Sequence, residues 1–345
     1  MRFGLFIMGT QTGSYQDILD QICYAEELGF HTVLLAERHF HHGDLLYSSP
    51  FSMAGAIAAR THRIRIGTAA RILPLTHPLH IAEEAATLDI LSGGRLDFGA
   101  TRASLDEQCH SVFDSPLCES RGRFEEALEV IARAWTSDAL SYSGKYYQIP
   151  EVCGLARPLQ QPHPPIYLVA VSERTSQFAA RKGYSAFLPA IRSLGELEES
   201  SANYWRTVRE SAASRGSVEL GVNRFLYVAD SDSQARRDVR QPFMRFIYER
   251  APDLKVALVR KYGSETALSF ERFLEDFCLF GSPDTVYGRV KRLKEEAGAT
   301  YLLCSLNLIT LEHELCVHSM KLFAEEVLPR FGRCPMRTCD QGALV

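Results

Sequence analysis

The chain is 345 residues long, 46% hydrophobic and 23% charged, with a formal net charge of −4. That is enough apolar material for a large packed core, as one α/β barrel or two average domains. The weak negative charge gives no electrostatic reason to expect nucleic acid or an anionic membrane as partner.

The first residues, Met1-Arg2-Phe3-Gly4-Leu5-Phe6-Ile7, lack the long apolar core of a signal peptide, and no later apolar run approaches membrane-spanning length. Phe3–Met8 reads as a buried strand. Ile18, Ile22 and Ala25 follow at helical spacing, and Gly29 closes that helix. Thr32–Ala36 is the next apolar strand. Ile64–Ala70 precedes a helix face of Ile81, Ala85 and Leu88, and Leu96–Ala100 leads through a loop to Phe124, Leu128, Ile131 and Trp135. Ile166–Val171 precedes a helix from Arg174 to Lys182, Ala186–Pro189 one from Leu194 to about Arg215, and Leu220–Ala229 is strand-like. Val286, Val290 and Leu293 form a helix face, Tyr301–Leu306 a strand, and Cys316, Met320, Phe323 and Val327 a last helix.

These segments make about eight strand–helix units. Strands separated by helices pair in parallel, and eight such units close naturally into a (β/α)8 TIM barrel. The alternative, an open doubly wound sheet, usually carries a Gly-rich first turn. Here Met8-Gly9-Thr10-Gln11-Thr12-Gly13 is not GxGxxG, and no Walker loop, GxSxG elbow or internal repeat is present. Insertions follow strands 4 and 7. Residues 138–165 carry Tyr142, Tyr146 and Tyr147 and a proline-rich approach to the fifth strand. Residues 230–280 carry a charged helical stretch and an irregular Lys261-Tyr262-Gly263-Ser264 turn. In a barrel the second insertion sits on the active-site face, a candidate lid. The expected organisation is one barrel domain over 1–331 and a flexible tail at 332–345. Nine cysteines without a regular framework fit a reducing cytoplasm.

Residues at the carboxyl ends of barrel strands face the active site. Gly67-Thr68-Ala69-Ala70-Arg71-Ile72-Leu73-Pro74 ends a strand in two alanines, a flat floor suited to a planar aromatic ligand. Three further strand ends could complete a pocket: Glu37-Arg38-His39-Phe40, Phe98-Gly99-Ala100-Thr101-Arg102 and Val169-Ala170-Val171-Ser172. Arg102 offers a planar fork for a phosphate. Ser172 and Thr175 open a helix, where the same physics serves a plain N-cap or a bound phosphate. Phe6 lies close enough to a strand end to line the pocket, although packing is the commoner fate of such a residue. The cluster Glu37-Arg38-His39-Phe40-His41-His42-Gly43-Asp44 has metal-ligand residue types at poor spacing. In His313-Glu314-Leu315-Cys316-Val317-His318 the histidines are five apart rather than at i and i+4. No metal is expected.

Taken together these segments resemble the bacterial-luciferase-like flavin-dependent monooxygenases, from Arg2 to about Phe331. The matching stretches are Arg2–Phe6, Thr32–Phe40, Gly67–Pro74 with His77-Pro78, Ser92-Gly93-Gly94-Arg95-Leu96-Asp97-Phe98-Gly99, Val169–Ala180, Gly281-Ser282-Pro283 and Met320–Phe323. Each is weak alone; seven in order and spacing are specific. The resemblance implies a barrel that binds reduced FMN and activates O2 as a flavin C4a-hydroperoxide. It places a non-prolyl cis peptide at Ala69-Ala70 under the ring. Arg102, Ser172 and Thr175 would hold the FMN phosphate, with Arg121 nearby. Ser104 and the backbone at Ala170-Val171 would face the ring, and Glu37 would join the cofactor site. Thr101 falls where light-emitting members have a cysteine near the reactive flavin carbon.

One departure stands out. Light-emitting relatives have Glu-His-His-Phe where this chain has Glu37-Arg38-His39-Phe40, so Arg38 occupies their catalytic histidine position. A guanidinium cannot act as a general base. It could stabilise an anion or grip a carbonyl substrate, while His39 is the titratable group beside it. The expectation is a cytoplasmic monooxygenase that oxygenates a small organic substrate, such as a secondary metabolite or carbonyl compound. Its FMNH2 would come from a separate flavin reductase, because no nicotinamide-binding fingerprint is present. The alternatives are a deazaflavin-dependent oxidoreductase of the same superfamily and a non-catalytic flavin-binding protein. A homodimer through barrel helices near the second and third units is expected by analogy.

Overall fold

Eight strands pair in chain order and close on themselves: β1 (Arg2–Ile7), β2 (Thr32–Leu35), β3 (Arg65–Thr68), β4 (Leu96–Thr101), β5 (Ile166–Val169), β6 (Ser185–Leu188), β7 (Leu220–Val228) and β8 (Tyr301–Ser305). Every pairing around the ring is parallel, and β8 returns to β1 with Arg2 opposite Tyr301 and Leu5 opposite Cys304. The structure, a computed structural model, describes residues 1–9, 14–40, 48–102, 107–211, 218–306 and 310–332, with the backbone alone at 107–108. Ser104, His41, His42, Asp44 and all but Gly332 of the expected tail lie outside the described residues.

One major helix follows each strand: α1 (Tyr15–Glu27), α2 (Pro50–Arg60), α3 (Pro78–Leu91), α4 (Ser120–Thr136), α5 (Glu173–Lys182), α6 (Leu194–Glu210), α7 (Pro283–Glu295) and α8 (His313–Leu322). Their apolar stripes face the outside of the barrel; α1 buries Ile18, Ile22 and Ala25, and α4 buries Phe124, Leu128, Ile131 and Trp135. Local chemistry sets the ends. Ser14 and Asp17 form a capping box on α1, and Gly183 takes the left-handed conformation that stops α5. Two expected boundaries move. The helix expected to run to about Arg215 ends at Glu210, and the one expected from Arg174 begins at Glu173, behind its Ser172 cap.

The expected strand Ile64–Ala70 is interrupted. β3 stops at Thr68, the Ala69–Ala70 peptide is cis, and a two-residue strand Arg71–Ile72 resumes the pairing with Ala100 and Thr101. Gly99 makes this approach possible. A Cβ there would lie 1.7 Å from the Thr68 carbonyl oxygen, while the Thr68 hydroxyl donates to the Gly99 carbonyl at 2.6 Å.

The insertion after β4 is an antiparallel hairpin, Ala139–Ser143 with Gln148–Cys153. Its turn is tied to α4 through Glu126, whose carboxylate accepts the amides of Lys145, Tyr146 and Tyr147 at 2.8, 2.9 and 3.2 Å. The insertion after β7 holds helices Asp232–Arg245, Pro252–Tyr262 and Phe270–Asp276 and a strand, Cys278–Gly281, paired with the end of β7. Phe225, Phe243, Phe246, Phe273 and Phe280 pack there into a second apolar core, separate from the one between barrel and helices.

Candidate active site at the barrel mouth

The barrel interior is filled from the amino-terminal end upward. At that end Arg2 donates to Tyr167 at 3.0 Å and Thr32 at 2.8 Å, and pairs with Asp97 and Glu219; Arg65 also pairs with Asp97. Above lie Tyr167 and Phe187, stacked 4.6 Å apart, then Phe6, Leu34 and Leu303, and at the top Ala36 with Ala69, Val169 and Met8 around it. Phe6 is buried within this layer. The floor beneath the mouth is therefore solid and ends in small side chains next to the cis dipeptide.

Beside that floor stands a buried charge network. Glu37 Oε1 accepts from Arg71 at 2.6 Å and from His39 Nε2 at 2.9 Å, and Oε2 accepts the Ile72 amide at 2.8 Å. The Glu37 side chain is 1% exposed. Its carboxylate thus ties the end of β2 to the backbone just past the cis peptide. Against an ionised carboxylate, which only accepts, His39 donates through Nε2. His39 in turn packs edge-on to Phe113 at 5.0 Å, and Phe113 stacks on Phe40 at 5.6 Å. Phe40 and Phe113 are 46% and 40% exposed, and Phe40 has a φ of 58°, which is rare for an aromatic residue. Arg38 is half-buried between Glu37 and His39 in sequence.

A second polar group gathers where α4 and α5 begin. Ser172 caps α5, accepting the Thr175 amide at 3.4 Å, and the two hydroxyls lie 3.1 Å apart. α4 opens with Ser120 and Arg121, and the helices run side by side, with Phe124 6.4 Å from Phe178. Arg102, just past β4, donates to Ser120 Oγ at 2.9 Å. Burial, and then the neighbouring Arg121, push the Arg102 pKa down. Two guanidiniums thus lie at the start of α4, Arg121 also pairing with Glu125 at 3.4 Å, and two hydroxyls at the start of the neighbouring α5, groups of the kind that bind a phosphate. Thr101 is half-buried at the end of β4, Thr175 and Ala170 are buried, and Val171 is exposed at the end of β5.

The family model for luciferase-like monooxygenases matches residues 1–301. The chain belongs to this family. A flavin-dependent trigonelline monooxygenase, oxygenase component, from Acinetobacter baylyi is 28% identical over 244 residues, covering 68% of this chain and 67% of that protein. A monooxygenase structure from Streptomyces bottropensis superposes with a TM-score of 0.82 at 28% identity, covering 96% of this chain and 100% of its own. Two structures at 20% identity share the fold. One is the oxygenating constituent of 3,6-diketocamphane monooxygenase from Pseudomonas putida in complex with FMN, with a TM-score of 0.79 and coverage of 96% and 99%. The other is a coenzyme F420-dependent tetrahydromethanopterin reductase from Methanopyrus kandleri, with a TM-score of 0.77 and the same coverage. The chain is an enzyme of the luciferase-like monooxygenase class, an oxidoreductase. No helix among the described residues is long and apolar enough to cross a membrane.

Several contacts around the mouth were not legible as site features in the sequence. Arg71 lies inside the quoted Gly67–Pro74 stretch, but its pairing with Glu37 joins two strand ends 34 positions apart. Phe113 and Arg192 belong to segments with no motif of their own.

Proposed function

We propose that this chain is the oxygenase of a two-component system, which takes reduced FMN from a separate flavin reductase and uses it with O2 to oxygenate a small organic substrate. The observation that carries the reading is the set of phosphate-suited groups at the starts of two adjacent helices, Arg102 and Arg121 at α4 and Ser172 and Thr175 at α5, with the Ala69–Ala70 segment at the neighbouring strand end. These residues fit a planar ring with a phosphate tail. Arg102 and Arg121 would hold the phosphate with the two hydroxyls; Ala69, Ala70, Ala170 and Val171 would border the ring, and Phe6 would support the floor from below. Bound reduced FMN would supply the electrons that activate oxygen. The substrate would enter past Phe40 and Phe113 and lie near Thr101, Arg38 and His39, with the His39 imidazole moving a proton and Arg38 countering negative charge. Glu37 serves this site by fixing His39 and Ile72 rather than by touching the ring. The helices Asp232–Arg245 and Pro252–Tyr262 would form the lid that excludes water from the reaction.

Anaerobic titration with reduced FMN tests the cofactor, and oxygen uptake with and without candidate substrates tests the reaction. Retention of reduced FMN and substrate-dependent uptake support the proposal. Binding of a reduced deazaflavin in preference to FMN favours hydride transfer instead, and uptake that never rises above the uncoupled background favours a non-catalytic flavin carrier. Arg38→Ala should lower turnover with substrate present; an unchanged rate reduces Arg38 to scaffolding. A homodimer through α2 and α3 accords with Ile90 and Leu91, which are 47% and 68% exposed at the end of α3. Light scattering that gives a monomer's mass would reject it.

A further inference from the structure

We propose that Arg192 is a positioning residue for the phosphate end of the flavin site, a role that rests on the reading above. Arg192 lies in the link between β6 and α6. Its Nη2 donates to the Val171 carbonyl at 2.9 Å and to the Ala170 carbonyl at 3.4 Å, and its Nη1 donates to the Ser200 hydroxyl. Along an extended strand, successive carbonyls point to opposite sides. Two consecutive carbonyls on one nitrogen therefore mark a turn of the chain at Val171. In a trans peptide the C=O and N–H point in opposite directions. Drawing both carbonyls toward Arg192 thus turns the amides of Val171 and Ser172 away from it.

Among the described residues neither of these amides donates to a backbone carbonyl, and Ser172 is the cap of α5. Successive amides with a shared direction form an anion-binding concavity, to which the start of a helix adds its own positive end. Arg192 is itself held from behind. Arg224, buried in β7, donates to the Arg192 carbonyl at 2.8 Å and the Ala190 carbonyl at 2.9 Å. Both guanidiniums bond neutral carbonyl or hydroxyl acceptors. Burial lowers both pKa values, that of Arg224 to about 10, with Glu196 and Glu199 offsetting part of the effect at Arg192. The amides therefore face outward from a positively charged backing. This favours a dianionic phosphate and does little for a neutral ribityl chain.

The full-length protein is compared with Arg192→Ala and Arg192→Lys by anaerobic ultrafiltration against reduced FMN and reduced riboflavin, which differ only in the phosphate. Wild type should prefer FMN. In R192A the Kd for FMN should rise about tenfold, while that for riboflavin changes less than about twofold. R192K, with one ammonium in place of the fork, should recover part of the preference. An unchanged FMN-to-riboflavin ratio in both variants overturns the proposal, and so does an equal loss of both flavins, which is what general loosening would give. If R192A does not fold, the ratio in R192K decides in the same way. A wild type that binds FMN no better than riboflavin removes the phosphate reading itself, and this inference with it.

Discussion

The two ends of the barrel are built on opposite electrostatic principles. At the amino-terminal end, Arg2 and Arg65 face Asp97 and Glu219, with Thr32 and Tyr167 taking up further donors. Burial disfavours the charge of Arg2, but Asp97, Tyr167, Tyr301 and Glu219 outweigh it and raise the pKa. At the carboxyl end, Arg102, Arg192 and Arg224 are each held below the ordinary arginine value, chiefly by burial. At the amino-terminal end the guanidiniums meet carboxylates; at the mouth Arg71 pairs with Glu37, but Arg102, Arg192 and Arg224 bond neutral hydroxyl or carbonyl acceptors. Substitutions at the floor should therefore cost stability, and substitutions at the mouth should cost binding.

The largest effect is expected where the two regimes meet. Gly99→Ala would put a Cβ 1.7 Å from the Thr68 carbonyl oxygen, a backbone atom that cannot move aside without displacing the Ala69–Ala70 segment. Soluble expression and near-UV circular dichroism should show little or no natively packed protein. Next is Asp97→Asn, which leaves two buried guanidiniums short of an anion and should cost about 3–5 kcal/mol in urea unfolding. Folded D97N should bind reduced FMN as wild type does. The pH dependence has a definite sign. Burial would raise the Asp97 pKa, but Arg65 and Arg2 prevail and hold it below the ordinary 3.8. The unfolded chain then binds more protons as pH falls through that region, so Asp97's contribution is full above it and lost below it. D97N should flatten this acid limb of the stability profile; an unaltered limb would assign it to other carboxylates.

How much of this contrast can be read in the chain depends on how far apart the partners lie. The eight strands show as apolar runs because a parallel strand is covered on both faces, and the helices show as stripes because one face is wet. Ser172 and Thr175 are visible because a cap and its helix are contiguous in sequence. The floor is not: Arg2, Asp97 and Glu219 meet only after closure brings β1, β4 and the approach to β7 together. The break at Ala69 is a different case: the family resemblance points to the cis Ala69–Ala70 peptide that the structure contains, but the periodicity does not mark it. A pattern of buried residues continues through it, and only the backbone shows that pairing stops and resumes.

Glu37→Gln tests a position that shares both characters. Gln keeps an acceptor for the Ile72 amide but removes the anion facing Arg71, and it lets an amide donor compete at His39. A loss of about 1–3 kcal/mol in urea unfolding is expected, together with slower substrate-dependent oxygen uptake. A stability change without a rate change would place Glu37 with the floor. Arg102→Ala is the converse case. The charge of Arg102 is disfavoured by burial and by Arg121, so its removal should leave flavin-free stability unchanged or slightly higher, while reduced FMN binds about tenfold to a hundredfold more weakly. Unchanged affinity would remove Arg102 from the phosphate assignment.

The smallest effect concerns the link between the mouth and the insertion after β7. Lys261, at the end of helix Pro252–Tyr262, pairs with Glu196, which also accepts the amide and hydroxyl of Ser193 at the start of α6. Burial alone would raise the Glu196 pKa, but Lys261 and the Ser193 bonds lower it. Glu196 is 49% exposed, so solvent screening should keep the worth of the pair below about 1 kcal/mol. Lys261→Ala should accordingly leave the global unfolding midpoint nearly unchanged. Ser193 keeps its bonds to Glu196 in this variant, so α6 is not uncapped and any change belongs to the insertion. If the insertion opens and closes as a lid, hydrogen exchange should quicken across 252–262 and not in the barrel strands. Uniform exchange in K261A and wild type would mean that the insertion is fixed by its own aromatic core, with Phe243, Phe273 and Phe280 sufficient to hold it in place.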